Sequence, residues 1–173
     1  MRRIVVVGTT GSGKTILAGA IAGRLGIPHV ELDALHWEAN WTEAPTDVLR
    51  ERITRAVGGA AWVVDGNYGK VRDLFWSRAD TVVWLDYSLP VILWQLAGRT
   101  LKRVMTQEEL WSGNRERLGT TLFRRDSIIL WALQTYRTYR EEYPRLLGRP
   151  EHAHLTVVRL GSHRETRAWL AGL

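Results

Sequence analysis

The sequence predicts a three-layer α/β domain, a five-stranded parallel sheet with helices on both faces and a helical lid insertion. Three observations predict it. Five short apolar runs, rich in valine, alternate with helical stretches. The first run leads straight into a glycine loop that opens a helix. The 173 residues suffice for one domain, 1–173, with a sizeable core.

The expected strands are Arg3–Val7, His29–Leu32, Ala61–Asp65, Thr81–Asp86 and Leu155–Leu160, each read as buried on both faces of the sheet. The opening Met-Arg-Arg-Ile-Val-Val-Val breaks into glycines after four apolar residues, so it reads as a strand and not a signal peptide. The first helix begins in the glycine loop and stops at Gly26, with Pro28 just beyond. A second runs from Thr46 to Val57 and ends at Gly58-Gly59. Ser88 caps a third, with Pro90 in its first turn, that continues to about Val104. Thr106-Gln107-Glu108-Glu109 and Ser162-His163-Arg164-Glu165 both fit a capping box, the latter starting a C-terminal helix. The segment of about 105–143 breaks the alternation. It carries two helical stretches, many arginines and no strand, and is read as a lid inserted near the strand C-termini.

Gly8-Thr9-Thr10-Gly11-Ser12-Gly13-Lys14-Thr15 matches G-x-x-x-x-G-K-[ST] at every fixed position. Glycines let backbone N–H groups curl around phosphate oxygens, and the following helix offers its positive end. Lys14 would reach the β- and γ-phosphates, and the Thr15 hydroxyl would ligate Mg²⁺. The loop between a strand and a helix makes this a P-loop NTPase fold that binds a nucleoside triphosphate. The absence of an N-K-x-D signature argues against a GTPase.

Two carboxylate-bearing strand ends come next. Val63-Val64-Asp65-Gly66-Asn67-Tyr68 ends an apolar strand in an Asp able to orient Mg²⁺ or its water. Asp86 competes for that role, but Asp65 is preferred because its strand is expected beside the loop strand; a turn-forming Asp before Gly is the plainer reading. Glu31-Leu32-Asp33-Ala34-Leu35-His36-Trp37 closes the second strand, where period two would put Glu31 and Asp33 on one face. Asp33, nearer the cleft, would accept a hydroxyl proton or position the acceptor. His36 is either a substrate ligand or a packed loop histidine.

The net charge is +6 and arginine supplies it, since lysine occurs only at Lys14, Lys70 and Lys102. Arg99 and Arg103 share a helix face, Arg115, Arg117, Arg124 and Arg125 crowd the insertion, and Arg137 and Arg140 share the next helix face. Phosphoryl transfer needs such charge on the moving group, and a lid delivers it while excluding water. Most arginines on any surface are simply solvated, and Arg99, Arg103, Arg115 and Arg117 are the chosen catalytic candidates. Of nine tryptophans, Trp37, Trp41, Trp76 and Trp111 fall near acceptor loops and lid, whereas Trp94, Trp131 and Trp169 read as core. No cysteine is present to form a disulfide or thiolate site, and no apolar run spans a membrane, so the cytoplasm is the expected compartment.

With these residues placed, the chain resembles the adenylate kinase-like group of P-loop kinases. Asp65-Gly66 is similar to the Asp-Gly closing strand three in nucleoside monophosphate kinases. More closely, "ELDALHW", "VVDGNYGKVRDLFWSRADTVVWLD", "LWSGNRE" and "RRDSIILWA" resemble the small bacterial DNA topology modulation proteins. The group implies ATP as donor, its adenine held by the loop after strand five, here Gly161-Ser162-His163. One departure stands out. The Phe-Pro-Arg that follows Asp-Gly in the monophosphate kinases is Asn67-Tyr68-Gly69 here, leaving Lys70 or Arg72 to replace the arginine. Glu31-x-Asp33 is similar to the Asp-x-Asp of shikimate kinases, which bind hydroxylated small molecules.

The expected function is ATP- and Mg²⁺-dependent phosphoryl transfer to a small molecule, a nucleotide or a hydroxylated metabolite. Its acceptor would lie among Asp33, His36, Trp37, Asn67, Tyr68 and Arg72. The alternative is a nucleotide-regulated modulator of DNA topology or expression. The basic residues concentrate in the presumed lid, and no DNA-binding motif appears, so nucleic acid is the less favoured partner.

Overall fold

The computed structural model describes residues 1–115 and 128–173. Five parallel strands form the main sheet: β1 (Arg3–Gly8), β2 (His29–Glu31), β5 (Trp62–Asp65), β6 (Thr81–Leu85) and β7 (Thr156–Leu160), in the order β2-β5-β1-β6-β7. The loop strand β1 lies at the centre. Val6 pairs with Asp65 on one side and with Val83 on the other. The three inner strands are buried on both faces, as their valine runs predict. The edges differ from that expectation. Two of the three β2 residues are partly exposed, and β7 leaves Val157 43% exposed, because an edge strand has cover on fewer sides.

Helices α1 (Lys14–Leu25), α5 (Leu89–Thr106) and α7 (His163–Ala171) share one core with Ile4, Val6, Val63, Val83 and Leu85. The opposite face buries Val5, Val64, Val82 and Trp84 against α3 (Thr46–Ala56), the short α4 (Asp73–Trp76) and α6 (Ile128–Leu147). Each fully buried Val, Leu, Ile or Phe contributes about 1.5–3 kcal/mol relative to exposure. The layers are therefore those expected, with the C-terminal ends of β1, β2 and β5 gathered at one edge of the sheet.

Several local expectations need correcting. The second strand stops at Glu31, and Leu32–His36 forms a short helix, α2. Asp33 is thus in the first turn of a helix, and period-two reasoning does not apply to it. A two-stranded hairpin, β3 (Trp37–Glu38) with β4 (Thr42–Glu43), follows α2 and was not anticipated. Thr106 does not cap a new helix. It is the last residue of α5, its hydroxyl bonded to the Lys102 carbonyl, and Gln107 ends the helix in a left-handed conformation. Residues 109–115 form a tight loop closed by an antiparallel bridge between Glu109 and Arg115, and α6 runs four residues past the anticipated boundary at 143. The Ser162 capping box is formed as expected. Trp94 and Trp131 are 82% and 53% exposed, not core, whereas Trp76 is buried. Among the described residues, no helix is long and apolar enough to cross a membrane.

Candidate active site

The glycine loop, residues 8–13, joins β1 to α1. Gly8 has φ 150°, and a Cβ there would sit 2.7 Å from the Leu85 carbonyl oxygen, so only glycine fits against β6. Gly13 is left-handed, φ 88°, and enters α1 without a side-chain cap, which leaves the first helical N–H groups available to a ligand. Thr9 and Ser12 are buried within the loop, where the Ser12 N–H donates to the Thr9 carbonyl at 3.0 Å. Among the described residues, Ser12 Oγ has no hydrogen-bond partner. Thr10 and Gly11 complete the turn, with Gly11 at φ 85°.

Lys14 folds back over the loop, its Nζ donating to the carbonyls of Gly8 at 2.9 Å and Thr9 at 3.2 Å. Burial pushes its pKa down. The negative charges of Asp33 and Asp65 oppose that, and Arg99 adds to it. Those three side chains therefore lie close enough to Lys14 to act on its charge. Thr15 Oγ1 donates to Asp65 Oδ2 at 2.7 Å, and Asp65 Oδ1 meets His29 Nε2 at 2.8 Å. The bond to Asp65 raises the His29 pKa, against the effect of its partial burial. Asp65 therefore adjoins the loop as expected from its strand position. Asp86 instead pairs with Arg140 and Arg159, behind the loop.

Asp33 accepts a 2.6 Å hydrogen bond from the Tyr68 hydroxyl. Burial first, and then the Asp33 charge, push the Tyr68 pKa far above its usual value, so the phenol stays protonated. His36 lies edge-on to Trp37 and Tyr68 at 4.8 and 4.9 Å, with Nε2 3.9 Å from Glu43 and a buried Nδ1 that has no partner among the described residues. Glu31 pairs with Asp65 in the sheet and lies near Asp33 and His29. Burial raises its pKa, partly offset by the nearby Trp111 indole N–H.

Four expected substrate or nucleotide contacts have their polar atoms committed elsewhere. Asn67 Nδ2 donates to the Gly8 carbonyl at 2.6 Å, while its Oδ1 accepts from Gly8 N–H at 3.3 Å and from Tyr143 at 2.9 Å. It braces the loop. Arg72 pairs with Glu142 at 3.1 Å and lies over the Trp76 ring. Ser162 is occupied as a helix cap with Glu165, and His163 bonds Gln95 and packs on Tyr87. A cavity of about 370 Å³ borders that loop between Asp86, Ser88, Arg140, Arg159, Gly161 and Glu165.

Among the lid arginines, Arg103 lies 3.9 Å from Glu108, and Arg115 pairs with Glu109 at 3.5 Å. Arg117, Arg124 and Arg125 lie outside the described residues. The turn Trp111–Gly113 docks on the β3–β4 hairpin. Ser112 Oγ donates to the Trp37 carbonyl at 2.8 Å. Asn114, buried, donates to the Glu38 carbonyl at 2.8 Å and accepts from the Trp41 N–H at 2.9 Å. The sequence reading missed Asn114, His29 and this hairpin. The one available signal was Asn40 between two tryptophans, since asparagine tolerates the left-handed turn it adopts here, φ 60°.

Residues 4–86 match the family described as ATPase family associated with various cellular activities (AAA). No curated protein matches. Three solved structures share the fold across 99% of this chain. A gluconokinase from Sinorhizobium meliloti 1021 aligns over 92% of its length at 21% identity with a TM-score of 0.52. A sugar kinase from Janibacter sp. HTCC2649 aligns over 93% at 18% identity and 0.53. A shikimate kinase from Bacteroides thetaiotaomicron aligns over 95% at 14% identity and 0.56. The fold is thus the P-loop α/β fold, common to these three kinases.

Proposed function

We propose that the protein is an ATP- and Mg²⁺-dependent kinase that phosphorylates a hydroxyl group of a small molecule. The observation that carries this reading is the gathering at the glycine loop of Lys14, 2.9 Å from the Gly8 carbonyl, Asp65, bonded to Thr15 at 2.7 Å, and Asp33, whose charge acts on Lys14. A phosphate clamp, a metal-orienting carboxylate and an acceptor-side carboxylate are the three groups that the transfer requires. The similarity to a gluconokinase, a sugar kinase and a shikimate kinase agrees with it.

The residues fit the triphosphate and its metal. Positive-φ glycines, the uncapped start of α1 and the unpartnered Ser12 Oγ form a donor-rich cradle for phosphate oxygens. Thr15 and Asp65 would hold the metal, Thr15 directly and Asp65 directly or through water. Among the described residues, no cluster of three acidic, His or Cys side chains could hold an ion alone, which suits an ion that shares its shell with phosphates and water. Bound Mg²⁺ supplies neutralisation of charge across the β- and γ-phosphates.

Lys14 would leave the Gly8 and Thr9 carbonyls and move onto the phosphates. Asp33 would orient the acceptor hydroxyl and take its proton as the new O–P bond forms and the bond from Pγ to the β,γ-bridging oxygen breaks, releasing ADP. Tyr68 would hold Asp33 in place. Arg99, with Arg103, Arg115 and Arg117 from the lid, would stabilise the moving phosphoryl group. Adenine would rest near Ser162 and His163. The chain's resemblance to DNA topology modulation proteins leaves a nucleic-acid role as the other reading. The pairing of Arg50, Arg52, Arg55, Arg72, Arg137 and Arg140 with carboxylates weighs against it.

The test is ATP consumption by purified protein with Mg²⁺ across nucleosides, nucleoside monophosphates and hydroxylated metabolites, beside a Lys14→Ala control. The reading predicts one acceptor that raises turnover far above the no-acceptor rate, with the rise lost in the control. If ATP binds and no acceptor raises turnover, the kinase reading fails.

A further inference from the structure

Six side chains around the acceptor loop form one circuit of contacts. It begins at Trp111, whose indole lies near Glu31. Trp111 faces Trp41 at 6.4 Å, and Trp41 faces Trp37 at 5.7 Å, both edge to face. Trp37 meets His36, His36 meets Tyr68, and Tyr68 donates to Asp33, two residues on from Glu31.

Trp41 is held in this circuit against its backbone preference. Asn40 and Trp41 are both left-handed, φ 60° and 56°, a conformation that a bulky residue rarely adopts. The buried Asn114 accepts the Trp41 N–H, and the ring remains 38% exposed. A strained, exposed indole gains little from core burial, so its placement calls for a ligand.

Charge narrows that ligand. Glu31 pairs with Asp65 in the sheet register and precedes Asp33 by two residues, and Arg52 and Arg115 already have partners, Arg52 in Glu38 and the Leu35 carbonyl and Arg115 in Glu109. A carboxylate or phosphate on the acceptor would be repelled here, whereas ring hydroxyls or an ammonium would find acceptors. We propose that Trp37, Trp41 and Trp111, together with Glu31 and Asp33, select a hydroxylated ring compound without negative charge, its C–H face on the indoles and its hydroxyls or amine on the carboxylates. This deepens the kinase reading and rests on it for the phosphoryl step alone.

The experiment has a binding arm and a transfer arm. Binding to the ADP·Mg²⁺ form of the full chain is measured calorimetrically for myo-inositol, methyl glucoside, adenosine, glucosamine, gluconate, shikimate and AMP, and then for a wider panel of hydroxylated metabolites sorted by charge. The same compounds are scored for phosphorylation. The expected tightest binders are neutral or cationic rings. Trp41→Gly, which removes the ring and relieves the strain, and Trp111→Phe, which keeps a smaller ring and removes the indole N–H, weaken them up to about tenfold at unchanged ADP affinity. Tightest binding by an anionic compound, no binding by any neutral or cationic ring, or equal affinity in both variants overturns the proposal. Ring-dependent binding without phosphorylation keeps it and removes the kinase reading. Phosphorylation of anions alone does the reverse.

Discussion

Asn67 grips Gly8 from both sides, its amide donating to the Gly8 carbonyl and accepting from the Gly8 N–H. One side chain thereby fixes the point where β1 turns into the phosphate loop, and Tyr143 from α6 locks the amide orientation. Asn67→Ala leaves the Gly8 carbonyl and the Tyr143 hydroxyl without this partner, a loss of about 1–3 kcal/mol. The expected result is a lower melting temperature together with weaker ATP binding. An unchanged dissociation constant for ATP would show that the brace does not shape the loop.

Asp33 and Tyr68 should separate cleanly in kinetics. Asp33→Asn keeps the shape and the hydrogen bond and removes the proton acceptor, so kcat should fall by about 10²–10⁴. Tyr68→Phe removes only the positioning bond and should cost about tenfold or less. Because the Tyr68 pKa is driven up, no alkaline limb in the pH profile should disappear in Tyr68→Phe. Equal losses in both variants would sink the base assignment.

Thr15 and Asp65 share a 2.7 Å hydrogen bond, the pair read as metal-holding. Thr15→Val and Asp65→Asn should each raise the Mg²⁺ concentration needed for half-maximal ATP turnover by at least about tenfold. ATP binding in EDTA should change far less. Metal titrations of the two variants beside the parent decide it.

Asp80 gives the acid side of the stability profile. Burial alone would raise its pKa, but the Arg2 and Arg3 amides, the Thr81 hydroxyl and the N-terminal charge hold it below the usual range. A folded-state pKa below the unfolded one gives stability that is full above the unfolded value and is lost as pH falls through the folded one. Asp80→Asn should therefore be less stable than the parent at pH 7, and the gap should close in strong acid. A gap independent of pH between 2 and 7 would contradict the assignment.

The inner sheet and the glycine loop were legible because their signals are local. Valine runs mark β1, β5 and β6 within one residue of their ends, and the loop motif fixes Gly8 to Thr15. Leu32–His36 misled because five residues cannot display a helical period, and Leu32 continues an apolar strand pattern. Trp94 and Trp131 misled because a large apolar side chain in a helix reads as core, whereas these two point outward. The acceptor-side circuit was out of reach for another reason. Its joints, such as Asn114 to Glu38, span 76 positions, and the turn that makes them possible contains no glycine.

The docking of Ser112 and Asn114 onto Trp37, Glu38 and Trp41 has a mechanical consequence. Three hydrogen bonds stitch the turn at 111–114 and the β3–β4 hairpin into one plate that begins just beyond the left-handed Gln107 at the end of α5. Under the proposed kinase reading, raising either edge would mean lifting both or tearing those bonds, so admission of cargo and uncovering of the phosphates would be a single stroke.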